Sequence, residues 1–87
     1  DLLADLANIR LEMLWAFGDD AMRQVTHEYT ALMPELDLRH LPYWDLSAAL
    51  RPIGGFETWG LDAATVRTMR ERHREFVAGA LSRIAGR

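Results

Sequence analysis

The sequence predicts an all-α fold of about four helices, one unit spanning residues 1–87. Three observations lead there. Apolar residues recur at three- and four-residue spacing, the signature of a helix with one buried face. Breakers fall between these stretches at Gly18, Pro34, Pro52 and Gly54-Gly55. A composition 49% apolar and 26% charged suits a packed core and opposes disorder.

The first helix is expected over about residues 3–17, with Leu6, Ile9, Met13, Ala16 and Phe17 on its buried face. Asp1 or Asp5 stands where a carboxylate satisfies free amides and complements the dipole. Leu2, Leu3, Leu11, Leu14 and Trp15 widen the apolar arc so far that the helix wants cover on most sides. Gly18 ends it, and Asp19 or Asp20 starts a second helix over about 20–33 with Met22, Val25, Tyr29 and Leu32 inward. Pro34 closes that helix, and residues 35–41 form a polar connection. Pro42 suits the first turn of a third helix over about 42–51. A loop holding Phe56 and Trp59 follows, its aromatics either pinned to the core or facing a ligand. Asp62 then caps a long fourth helix over about 62–85, with Val66, Met69, His73, Phe76, Val77, Ala80, Leu81 and Ile84 inward.

Absences narrow the chemistry. Without cysteine there is no disulfide, thiolate ligand or cysteine nucleophile. All ten basic residues are arginine, so no phosphate-loop, ATP-anchoring or Schiff-base lysine can come from this chain. His27, His40 and His73 lack metal-ligand spacing, and His73 on the apolar stripe is expected to be a hydrogen-bonded core residue. No apolar run approaches the roughly 20 residues of a membrane span, and no basic-then-apolar leader is visible, so a cytoplasmic location is expected. The net charge of −3 is uneven: residues 1–61 hold ten acids against four arginines, residues 62–87 three acids against six. An acidic bulk speaks against nucleic acid as a partner, while the arginine-rich residues 62–87 keep weak nucleic-acid binding as an alternative.

Candidate binding residues cluster in two places. Tyr43, Trp44 and Asp45 put two aromatics beside a carboxylate, a wall suited to a polar or cationic ligand. Equally, Trp44, Ala48 and Leu41 pack the core while Asp45 stabilises the helix start. Asn8, Arg10 and Glu12 interrupt the apolar first helix, as its solvent face or as part of an acceptor cleft. Trp59 is a further candidate from the loop.

The opening Asp1-Leu-Leu-Ala-Asp5-Leu-Ala7 resembles the end of the G-D-P-x-x-D-L-A segment of aminoglycoside-phosphotransferase-like small-molecule kinases, with Leu2 where proline is usual. The Asn8-Ile-Arg10 helix, the Tyr43-Trp-Asp-Leu helix ending Ala49-Leu-Arg-Pro52, and the Arg72-His-x-x-Phe76-Val helix are similar to the later pattern in order and spacing. The resemblance covers nearly the whole chain. It implies the C-terminal helical subdomain of a protein-kinase-like α+β fold, from an ATP- and magnesium-dependent enzyme that phosphorylates a hydroxyl of a small molecule such as an antibiotic or sugar-like metabolite. The catalytic H-G-D-x-x-x-x-N loop, the glycine-rich loop and the metal-binding Asp that such a kinase needs lie outside these residues. The resemblance therefore implies a fragment, inert alone, that begins just after the metal-binding carboxylate and partners the missing N-terminal part of the kinase and the acceptor. On that reading Asn8, Glu12, Tyr43, Trp44, Asp45 and Trp59 line the acceptor side, and Asp5 holds the helix start. The rival expectation is a self-standing helical module that covers its excess apolar surface with a partner or a second copy.

Overall fold

The computed structural model describes residues 1–50 and 60–86. Among these residues there are four α-helices and no strand: α1 Leu2–Phe17, α2 Asp19–Leu32, α3 Leu41–Leu50 and α4 Ala63–Ala85. A 3₁₀ turn, Leu38–His40, runs directly into α3. No described helix is long and apolar enough to cross a membrane.

Local chemistry sets the helix ends. At the start of α1 the Asp1 carboxylate accepts from the Leu3 amide at 2.7 Å, and Asp5 sits exposed in the first turn as a complement to the dipole. The helix stops at Gly18, whose φ of 104° and ψ of −176° fall in a region essentially reserved for glycine. That conformation lets the Gly18 amide donate to the Met13 and Leu14 carbonyls while the chain turns straight into α2. Arg72 on α4 donates to the Trp15 carbonyl at 2.7 Å, adding a cation where the α1 dipole is negative. The expected polar connection over 35–41 instead holds the 3₁₀ turn, because Asp37 accepts from the Arg39 amide and caps it. Pro42 then falls in the first turn of α3, where a missing amide hydrogen costs nothing. Asp62 caps α4 as expected, accepting from the Thr65 amide at 2.7 Å. The expected loop with Phe56 and Trp59 lies outside the described residues.

Helix α1 is the hub, packing against α2, α3 and α4, and α3 packs in turn against α4. The core is Leu3, Leu6, Ala7, Leu11 and Leu14 of α1, Leu41, Ala48 and Ala49 of α3, and Phe76 of α4. The buried face of α1 therefore differs from the expected one. Leu6 is shared, but Ile9 and Met13 are only partly buried and Phe17 is 72% exposed. Because α1 is apolar nearly all round, its pattern offers several equivalent faces; the choice is made by Arg10, which is buried and paired across the core. Neither of the expected positions for Arg10, solvent face or open cleft, is where it lies. Helix α2 has no buried residue. Met22 and Tyr29 rest against the core edge, whereas Leu32, expected inward, is 81% exposed. Most of the α4 stripe lies as expected, with Met69, Phe76 and Ala80 buried, but Leu81 faces outward.

Candidate functional site

Between α1 and α3 lies an open cavity of about 220 Å³, lined by Ala4 and Asn8 from α1 and Trp44, Ser47 and Ala48 from α3. Helical spacing builds it: positions 4 and 8 are one turn apart on α1, and positions 44, 47 and 48 share a face of α3. Small side chains at Ala4 and Ala48 leave room beside the indole of Trp44. Asn8 and Ser47 supply polar groups that can both donate and accept hydrogen bonds. Such a surface suits a ligand with an apolar face and hydroxyl or amine groups at its edge.

Two expected site residues thus come together, Asn8 and Trp44. Trp44 packs on the core and also lines the cavity. Glu12 is exposed, one turn beyond Asn8 on α1. Tyr43 is half-exposed and lies outside the cavity, with its ring centroid 6.0 Å from that of His40. Trp59 lies outside the described residues. Ser47 lies inside a helix with no nucleophile-elbow motif and is not a binding candidate from the sequence; its position three residues after Trp44 is the signal that places it in the cavity.

Asp45 occupies a different environment from its neighbours. Its side chain is fully buried. One oxygen accepts from Arg10 Nε at 3.3 Å, and the other from Arg10 Nη2 at 3.1 Å and from Arg83 Nη2. Arg10 also donates to the Thr26 hydroxyl at 2.6 Å, which in turn donates a hydrogen bond to the Met22 carbonyl at 2.8 Å. The guanidinium carbon of Arg10 sits 5.8 Å from the Phe76 ring centroid. Asp45 thereby ties α3 to α1 through Arg10 and to α4 through Arg83, and Arg10 reaches on to α2. A carboxylate so enclosed cannot touch a ligand in the cavity, and it does not stabilise its own helix start. It clamps helices.

His73 behaves as the sequence predicts. Its Nε2 lies 2.7 Å from the Ala49 carbonyl, one of the C-terminal carbonyls of α3 without a partner in its own helix, and its ring stacks on Trp15 at 6.3 Å. Charges elsewhere are arranged in local pairs. The Arg39 guanidinium and amide hold the Asp37 carboxyl down at about 2, and Asp37 in turn raises Arg39. The Thr65 amide lowers the Asp62 carboxyl below its ordinary value. Among the described residues no group of three His, Cys, Asp or Glu side chains could hold a metal ion. Magnesium, which the kinase resemblance assigns to the parent enzyme, finds no such group of ligands among the described residues.

No protein-family model matches the chain. Curated proteins and solved structures likewise give no match.

Proposed function

We propose that this helical unit is the acceptor-side lobe of a cytoplasmic, protein-kinase-like phosphotransferase, which phosphorylates a hydroxyl of a small molecule, an antibiotic or a sugar-like metabolite. The supporting observation is the cavity in which Asn8 of α1 and Trp44 of α3 meet beside Ser47. Indole stacking would hold the body of the acceptor, and Asn8 and Ser47 would orient its polar edge. ATP, magnesium and the catalytic aspartate come from the remainder of the enzyme in this reading, and the chain alone is inert. Asn8→Ala and Trp44→Ala in the whole enzyme should raise the acceptor KM roughly tenfold, the size of one lost hydrogen-bond or stacking contact, and leave the ATP KM unchanged. An unchanged acceptor KM in both variants would remove the cavity from acceptor binding. A reading frame with no H-G-D-x-x-x-x-N motif upstream would sink the kinase assignment itself.

The exposed apolar side chains favour a second reading, a helical interaction module. Phe17, Leu32 and Leu50 are each more than 60% exposed, side chains of the kind that protein interfaces cover.

A further inference from the structure

A second groove, of about 370 Å³, opens where the start of α1 meets the turn leaving α2. Leu2, Leu32, Met33, Pro34, Glu35 and Leu36 line it. Tyr29 holds the two walls together by donating to the Leu2 carbonyl at 3.5 Å. The floor is aliphatic, the charged residue that lines it is acidic, and helical spacing places two further carboxylates at its rim. Glu35 lines the groove, Asp5 lies one turn along α1 from Leu2, and Glu28 lies one turn before Leu32 on α2. No arginine lines it, and the nearby Arg39 is bound to Asp37 at 2.7 Å.

This charge pattern selects the occupant. An anionic membrane surface would be repelled by the rim. A second copy placed groove to groove would set carboxylates against carboxylates, which costs affinity. A helix with aliphatic anchors on one face and cations beside them satisfies both floor and rim, the helix-in-groove mode of recognition. We propose that the α1–α2 groove docks a basic amphipathic helix of a separate protein, with its aliphatic residues against Leu2, Leu32, Met33 and Leu36 and its arginines or lysines on Glu35, Asp5 and Glu28. This docking lies apart from the α1–α3 cavity and stands whether or not the acceptor-lobe reading holds.

The probe is a synthetic helical peptide with leucines at i, i+3, i+4 and i+7 flanked by arginines, titrated into the 87-residue chain and followed by amide NMR shifts. Shifts should gather at Leu2, Leu32, Met33, Glu35 and Leu36. Leu32→Arg and Glu35→Arg, both at exposed positions that leave the helical spectrum intact, should each weaken binding about tenfold or more. Raising the salt should weaken it as well. A peptide with glutamates in place of the arginines should not bind. The proposal is overturned if neither peptide binds, if both bind alike, or if Leu32→Arg leaves affinity unchanged. Concentration-dependent self-association that Leu32→Arg abolishes and the basic peptide cannot displace would give the face to a second copy and overturn it too.

Discussion

Removing the Asp45 carboxylate tests the structure most sharply. Asp45→Ala leaves Arg10, whose side chain is only 9% exposed, buried without its anion. Breaking a buried pair from one side costs about 3–5 kcal/mol, chiefly the desolvation of the stranded charge. Arg83 adds little to this figure, because its side chain is 42% exposed and can rehydrate. An 87-residue domain holds about 4–13 kcal/mol in total at the usual 0.05–0.15 kcal/mol per residue. The substitution should therefore remove roughly a quarter or more of the stability and lower Tm by at least about 12 °C. Urea and thermal denaturation followed by far-UV circular dichroism measure it. The companion variant Arg10→Met/Asp45→Leu removes both charges and keeps the volume, so it should recover most of the loss. A loss below about 1 kcal/mol for Asp45→Ala, or a double variant no more stable than the single, would refute the clamp. On the acceptor-lobe reading, an Asp45→Ala variant of the parent enzyme with unchanged stability and a raised acceptor KM would instead place the carboxylate against a ligand.

Two further outcomes concern the helix ends. Gly18→Ala should cost about 1–3 kcal/mol from backbone strain alone, since an added Cβ meets only Arg72 Nη2 at 3.6 Å; an unchanged urea midpoint would show that the backbone accepts an L-residue there. The Asp37 carboxyl should titrate in an NMR series with a midpoint of about 2. Because that value lies below the unfolded one, the Asp37–Arg39 contact stabilises the chain above the ordinary carboxylate range and loses its effect as pH falls towards 2. Arg39→Gln should return the midpoint towards the ordinary value, and no movement would remove Arg39 as the cause.

The sequence marked helix ends far better than helix faces, for a physical reason. Gly18, Pro34 and Asp62 act on their own backbone within a turn, so their effect is visible in a window of a few residues. Burial on α1 is decided elsewhere. Leu6, Ile9, Met13 and Phe17 fit a helical stripe as well as Leu3, Ala7, Leu11 and Leu14 do, and only contact with α3 and α4 separates them. The Arg10–Asp45 pair joins positions 35 residues apart, beyond the reach of any periodicity. A weaker signal was still there: both are charges set among apolar residues, and the two are opposite in sign. Asn8 and Trp44 were legible as candidates because each is out of character with its surroundings, whereas Ser47 was not, since a serine in a helix is ordinary.

The clamp also divides the molecule by how firmly each part is held. Asp45 grips α1, α3 and α4, which carry every buried core side chain, while α2 buries none and meets the clamp only through Arg10 at Thr26. The chain should therefore open in two stages. Amide protons of α2 should exchange with solvent through a local detachment that leaves the other three helices closed, while those of Leu6, Ala49 and Phe76 wait for global unfolding. The helix that forms one wall of the acidic groove is then also the one the rest of the fold can most readily release.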